Sequence, residues 1–152
     1  MLEDFEANER LARRGLQAEP GNQTLLNNLA FALASTGRIP EAVEVYEQMT
    51  SPSLDDATRI AWLATGGLIQ FRSGQIDAGR ELYQQAMDLA GQSGNRFARA
   101  LAAAFLAREE LTARTPNALG ALATAGQLAR EGEELSVISV VARLDLLAAK
   151  QA

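Results

Sequence analysis

Apolar residues recur three and four positions apart along almost the whole chain, and no segment sustains the alternation of a strand. Short polar or Gly/Pro-bearing breaks interrupt this pattern at "AEPGN" (18–22), "STGRIP" (35–40), "TSPSLDD" (50–56), "RSGQ" (72–75), "GQSGN" (91–95), "ARTPN" (113–117) and "REGEE" (130–134). The pattern predicts eight amphipathic helices, near 2–18, 22–36, 39–50, 55–73, 75–90, 95–113, 116–130 and 133–149. In 22–36 the stripe is Leu26, Leu29, Ala30 and Leu33; in 39–50, Ala42, Val43, Val45, Tyr46 and Met49 oppose Glu41, Glu44, Glu47 and Gln48. Pro52 reads as a breaker, with Ser53 or Asp55 as the following N-cap. Linkers this short make successive helices antiparallel neighbours.

One phrase is written twice. "GRIPEAVEVYEQM" (37–49) and "GQIDAGRELYQQAM" (74–87) place Gly37 and Gly74, Ile39 and Ile76, Glu44 and Glu81, and Tyr46 and Tyr83 at one constant offset of 37 residues. Each Gly falls between two predicted helices, where a left-handed backbone is easiest for Gly. Each Tyr follows a small residue by four positions, Ala42 before Tyr46 and Gly79 before Tyr83, so the two share a helix face. The small residue admits a neighbouring helix and the ring fills the space one turn on, which makes both Tyr packing residues.

At these positions the chain resembles the tetratricopeptide repeat, a unit of two antiparallel helices. Leu26-x2-Leu29-Ala30-x2-Leu33 follows the first-helix pattern of that family, and Leu63-x2-Gly66-Gly67-x2-Gln70 follows it with Gly66 in place of Leu and Gln70 in place of an aromatic. Ala42/Tyr46 and Gly79/Tyr83 follow the second-helix pattern. The resemblance implies one all-α domain over 1–152, a right-handed α-solenoid of antiparallel helix pairs. Residues 1–21 are a half-repeat, 22–52 and 53–91 are repeats, 94–131 is a diverged repeat with no turn Gly, and 133–149 is a terminal helix. The period exceeds the family's usual one of about 34 residues, the excess falling in "SPSLDD".

Composition narrows the chemistry. Ala and Leu dominate a hydrophobic content of 47%, which suits helices. The net charge of −5, from 14 basic and 19 acidic residues, lacks the cationic surplus that non-specific nucleic-acid binding needs. With neither Cys nor His, the chain has no thiolate nucleophile, no His-based triad and none of the usual zinc or iron ligand sets. Paired acids at Asp55/Asp56, Glu109/Glu110 and Glu133/Glu134 read as structural, because adjacent helical residues point apart and two of the pairs stand at helix starts. No apolar run has the length of a membrane span, and "MLEDFEANER" has no signal-type segment. No enzyme activity, cofactor, metal, nucleic acid or membrane contact is expected. A cytoplasmic location is, and a periplasmic one stays open if a signal was removed.

What remains is surface. The resemblance implies that first helices line a concave groove. On that basis Asn27, Asn28, Phe31, Leu68, Phe71, Arg72 and Arg99 are the candidate partner-binding residues. Asn28 matches an Asn used by chaperone-binding members to hold a peptide backbone, but Ala61 and Thr65 stand where a basic carboxylate clamp would follow. In the last helix Val137, Val140, Val141, Leu144 and Leu147 belong to an apolar set that wraps most of the circumference. They form a candidate second interface, for a second copy (a homodimer), a missing domain or a partner. The resemblance therefore implies a non-catalytic scaffold that holds a peptide or helix of a partner protein. The alternative is an oligomerisation or regulatory domain of a larger, enzymatic protein. "NNLAFALASTGRIPEA" reads like a bacterial version of the repeat.

Overall fold

The computed structural model describes residues 4–50 and 55–152, and eight helices with no strand account for the regular structure among them. They are α1 (Phe5–Ala18), α2 (Gln23–Ser35), α3 (Ile39–Tyr46), α4 (Asp56–Arg72), α5 (Ile76–Gln92), α6 (Arg96–Thr112), α7 (Ala118–Glu131) and α8 (Leu135–Gln151). Side-chain caps fix four of the starts. Asp4, Asn22, Asp55 and Asn95 accept bonds from the N–H groups of Ala7, Leu25, Thr58 and Ala98, donors that helix geometry leaves without an internal partner. Asp55 is thus the cap of α4, while Pro52 and Ser53 lie outside the described residues.

Five of the connections close in the same way. Gly37, Gly74, Gly94, Arg114 and Glu133 all take positive φ, between 52° and 83°. The residue after each donates its N–H to a carbonyl five positions back: Arg38 to Leu33, Gln75 to Gln70, Asn95 to Ala90, Thr115 to Glu110 and Glu134 to Ala129. This is the six-to-one bond of a left-handed helix stop. The region 94–131, whose turn carries no Gly, therefore keeps the turn and places Arg114 in the left-handed region instead. α3 is shorter than its apolar pattern predicts. After Tyr46 the chain tightens into i to i−3 bonds, Gln48 to Val45 and Met49 to Tyr46, and this brings Met49 onto Leu26.

Packing separates the helices into two sets. Each helix packs on the next in the chain; in addition α2 packs on α4, α4 on α6, and α6 on α8, whereas the odd-numbered helices do not form such a series among the described residues. The α4–α5 pair is the closest. A Cβ on Gly67 would lie 2.7 Å from the Tyr83 ring and 3.1 Å from the Gly79 carbonyl oxygen, so both glycines are required for the backbones to approach with the ring between them. Tyr83 is fully buried there, tilted against Phe71 at 6.1 Å. Tyr46 is half-buried instead, stacked on Trp62 with ring centroids 5.3 Å apart, its hydroxyl donating to the Trp62 carbonyl at 3.1 Å. Both rings are packing elements, in different surroundings.

Candidate functional site

Helices α2, α4 and α6 share an apolar groove of about 230 Å³. Its floor comes from α4, where Ala57, Ala61 and Ala64 stand three and four apart and so share one face. Phe31 from α2 and Phe97, Leu101 and Phe105 from α6 form the walls. Small floor residues let the walls approach: Phe31 and Phe105 stack across α4 at 5.7 Å, Phe5 closes on Phe31 edge-on at 5.9 Å, and the Arg108 guanidinium lies 4.9 Å above the Phe105 ring. Phe97 is left 45% exposed at the groove mouth. Asn27 lines the same groove. It is buried, as is Thr65 beside the same cleft, and its Oδ1 accepts no hydrogen bond from the described residues.

Three of the sequence-derived groove residues meet here: Asn27, Asn28 and Phe31, with Asn28 exposed at the edge. The other four do not. Leu68 and Phe71 continue the Ala row along the same face of α4 toward its C-terminal end, where both are buried and Phe71 meets Gly79 and Tyr83. The groove is therefore floored by the N-terminal part of this row, and its C-terminal part is covered by packing within the chain. Arg99 lies beside Leu128 and Glu131, at shallow cavities between α6 and α7.

Arg72 is taken up by an ion pair. Its Nε donates to Glu109 Oε2 at 2.8 Å and its Nη2 to Oε1 at 3.1 Å, joining the C-terminal ends of α4 and α6. The hydrogen bonds it donates to this carboxylate push the Arg72 pKa further above its ordinary value. Glu110 turns the other way: Arg80 of α5 donates to it through Nε at 2.6 Å and Nη2 at 3.2 Å, and the Thr115 hydroxyl also bonds to it. The adjacent acids do point apart, but both are buried, at 2% and 1% exposure, so each is an anchor rather than a solvated charge. The only sequence signal for this was their place at the end of a run of small and apolar residues, "ALAAAFLAREEL". The spacing of Phe97, Leu101 and Phe105 at i, i+4 and i+8 was the corresponding signal for the groove wall.

In the last helix the structure redistributes the candidate interface. Val137, Val141 and Leu144 are buried against the preceding helices, Val140 is half-buried, and Leu147 remains exposed. The three buried side chains are used within the chain, so they present nothing outward. The outward leucines of α8 are Leu135, Leu146 and Leu147.

Among the described residues no helix is long and apolar enough to cross a membrane, and no cluster of acidic residues has the arrangement of a metal site. No family model, curated protein or solved structure matches the chain.

Proposed function

We propose that the chain is a non-catalytic protein–protein interaction scaffold of tetratricopeptide type, and that it holds a segment of a partner protein in the groove across α2, α4 and α6. The observation that carries this reading is the groove itself. Its lining is predominantly apolar, its walls are aromatic, and Phe97 stands exposed at its mouth. Such a lining suits a segment that presents a large apolar side chain. The even-numbered series of packed helices and the recurrent left-handed turns support the repeat architecture.

A selection of displayed peptides against the chain tests this. Enriched peptides should carry Leu, Phe or Trp anchors, and Phe97→Ala should weaken their binding at least about tenfold. Leu119→Arg, on exposed α7 surface away from the groove, should leave it unchanged. Peptides that bind Phe97→Ala as tightly as the parent chain would place the binding surface elsewhere.

A further inference from the structure

Ala57, Ala61, Ala64, Leu68 and Arg72 follow each other along α4 at spacings of four and three, so they form one row. Exposure falls along it: Ala57 is exposed, Ala61 and Ala64 are half-buried, and Leu68 is 0% exposed. The groove therefore ends short of the row that floors it. Beyond Ala64 the row passes under cover, and it emerges again at Arg72, in the ion pair with Glu109.

The cover comes from the helices on either side. The six-to-one turn bonds are accepted by Leu33 in α2, Gln70 in α4 and Glu110 in α6, which gives the three helices a common reference. Phe31 stands two residues before its reference, as Leu68 does, and Phe105 stands five before, as Thr65 does. α4 packs on both α2 and α6. Phe31 and Phe105 nevertheless stack on each other, 5.7 Å apart with 28° between the ring planes, so they reach over α4 at the level of Thr65 and Leu68. Thr65, like Leu68, is buried there, at 2% exposure.

This bridge lies at the protein surface. Both rings are half-buried and both line the groove. Phe5 of α1 meets Phe31 edge-on and the Arg108 guanidinium lies over Phe105, so the bridge is built from side chains of three helices. An aromatic pair at a wet edge is a weak link beside the helix packing beneath it. A change of side-chain rotamer is enough to part the rings, with no helix displaced.

We propose that the Phe31–Phe105 bridge is a latch. Closed, it ends the groove at Ala64; open, it uncovers Thr65 and Leu68 and lengthens the groove by about 6 Å towards Arg72. Use of the longer groove by a partner rests on the scaffold reading above, whereas the latch is a property of the chain alone.

Alkylation of a single introduced thiol tests the latch with no partner present, so its outcome is separate from that of the peptide selection. The chain has no Cys, and Thr65→Cys places one thiol under the bridge with little change in side-chain volume. Leu63→Cys places one in the core, on α4 but outside the row. The Thr65→Cys thiol should react with iodoacetamide at a rate that low urea leaves unchanged, because local opening exposes little surface. The Leu63→Cys rate should rise with urea. Adding Phe31→Ala or Phe105→Ala should accelerate the Thr65→Cys reaction at least about tenfold more than the Leu63→Cys reaction. Phe31→Leu, which withdraws the ring but keeps an apolar side chain, carries the same expectation where circular dichroism shows that Phe31→Ala has not folded. Equal acceleration at both thiols, or none at Thr65→Cys, overturns the proposal, since the rings would then do no more than stabilise the whole fold. So does a Thr65→Cys rate with the urea dependence of Leu63→Cys, because position 65 would be reached by global unfolding alone.

Discussion

Arg72 and Glu109, 37 residues apart in sequence, meet through two hydrogen bonds at the ends of α4 and α6, where the carboxylate is buried. Burial removes the carboxylate's hydration, and the guanidinium is its main replacement. Arg72→Met should therefore destabilise the fold by about 3 kcal/mol, since it leaves a buried charge with weaker support from Arg108, 3.3 Å away. The double variant Arg72→Met/Glu109→Met should recover most of the loss. Urea unfolding of the parent, the two single variants and the double variant checks this; additive losses would contradict it.

Tyr83 separates the role of a ring from that of its hydroxyl. The side chain is fully buried, and its Oη has no hydrogen-bond partner among the described residues. Tyr83→Phe should leave stability unchanged or raise it, because a desolvated hydroxyl is removed without loss of packing. Tyr83→Ala should cost about 3–5 kcal/mol, as it opens a cavity beside Gly67 and Phe71. Thermal unfolding distinguishes the two. A Phe variant as damaged as the Ala variant would show that the hydroxyl carries stability.

Arg114 holds a left-handed conformation at the turn between α6 and α7, at φ 52°, where the turns after α2, α4 and α5 use Gly. A Cβ is strained there, so Arg114→Gly should stabilise by about 0.5–1 kcal/mol once the greater freedom of Gly in the unfolded chain is deducted. Gly74→Ala should have the opposite sign. A fall in melting temperature on Arg114→Gly would mean that the Arg side chain, not the backbone, matters at this turn.

Acid should loosen the contacts of α1 with α3. Glu9 is held below the ordinary carboxylate value by hydrogen bonds from Arg13 and then Arg38, and Glu41 by Arg38. A depressed folded-state pKa means that the unfolded chain takes up protons first. The contribution is present above about 4.5 and is lost as pH falls through the lowered folded-state values. Arg38→Gln should flatten this acid limb in a series of denaturation midpoints between about pH 3 and 7. An unchanged limb would assign it to other carboxylates.

Helix count, turn positions and the packing role of Tyr83 were legible in the sequence because they are local. Three-and-four spacing, a capping Asn or Asp, and a Gly two residues before a second helix act within about two turns of chain. That amphipathic period identifies an apolar stripe but not its neighbour. Val137, Val141 and Leu144 read as one wide apolar surface with Leu146 and Leu147, and only the seat of α8 on α6 and α7 divides that surface into a buried side and an open one. Leu68 and Phe71 extend the same row as Ala57, Ala61 and Ala64, and went inward because α4's C-terminal end is covered by packing, Phe71 meeting Gly79 of α5, while the row's N-terminal alanines floor the groove. The same limit applied to charge. Nothing in "REE" distinguishes a solvated pair from two anchors; Arg72 and Arg80 come from other helices, and burial of Glu109 and Glu110 exists only once those helices converge. The sequence by itself determined eight helices, their stops and a repeated pairing. The tertiary structure decided which faces were consumed by packing and which remained open, because burial is a property of neighbours brought together from distant parts of the chain.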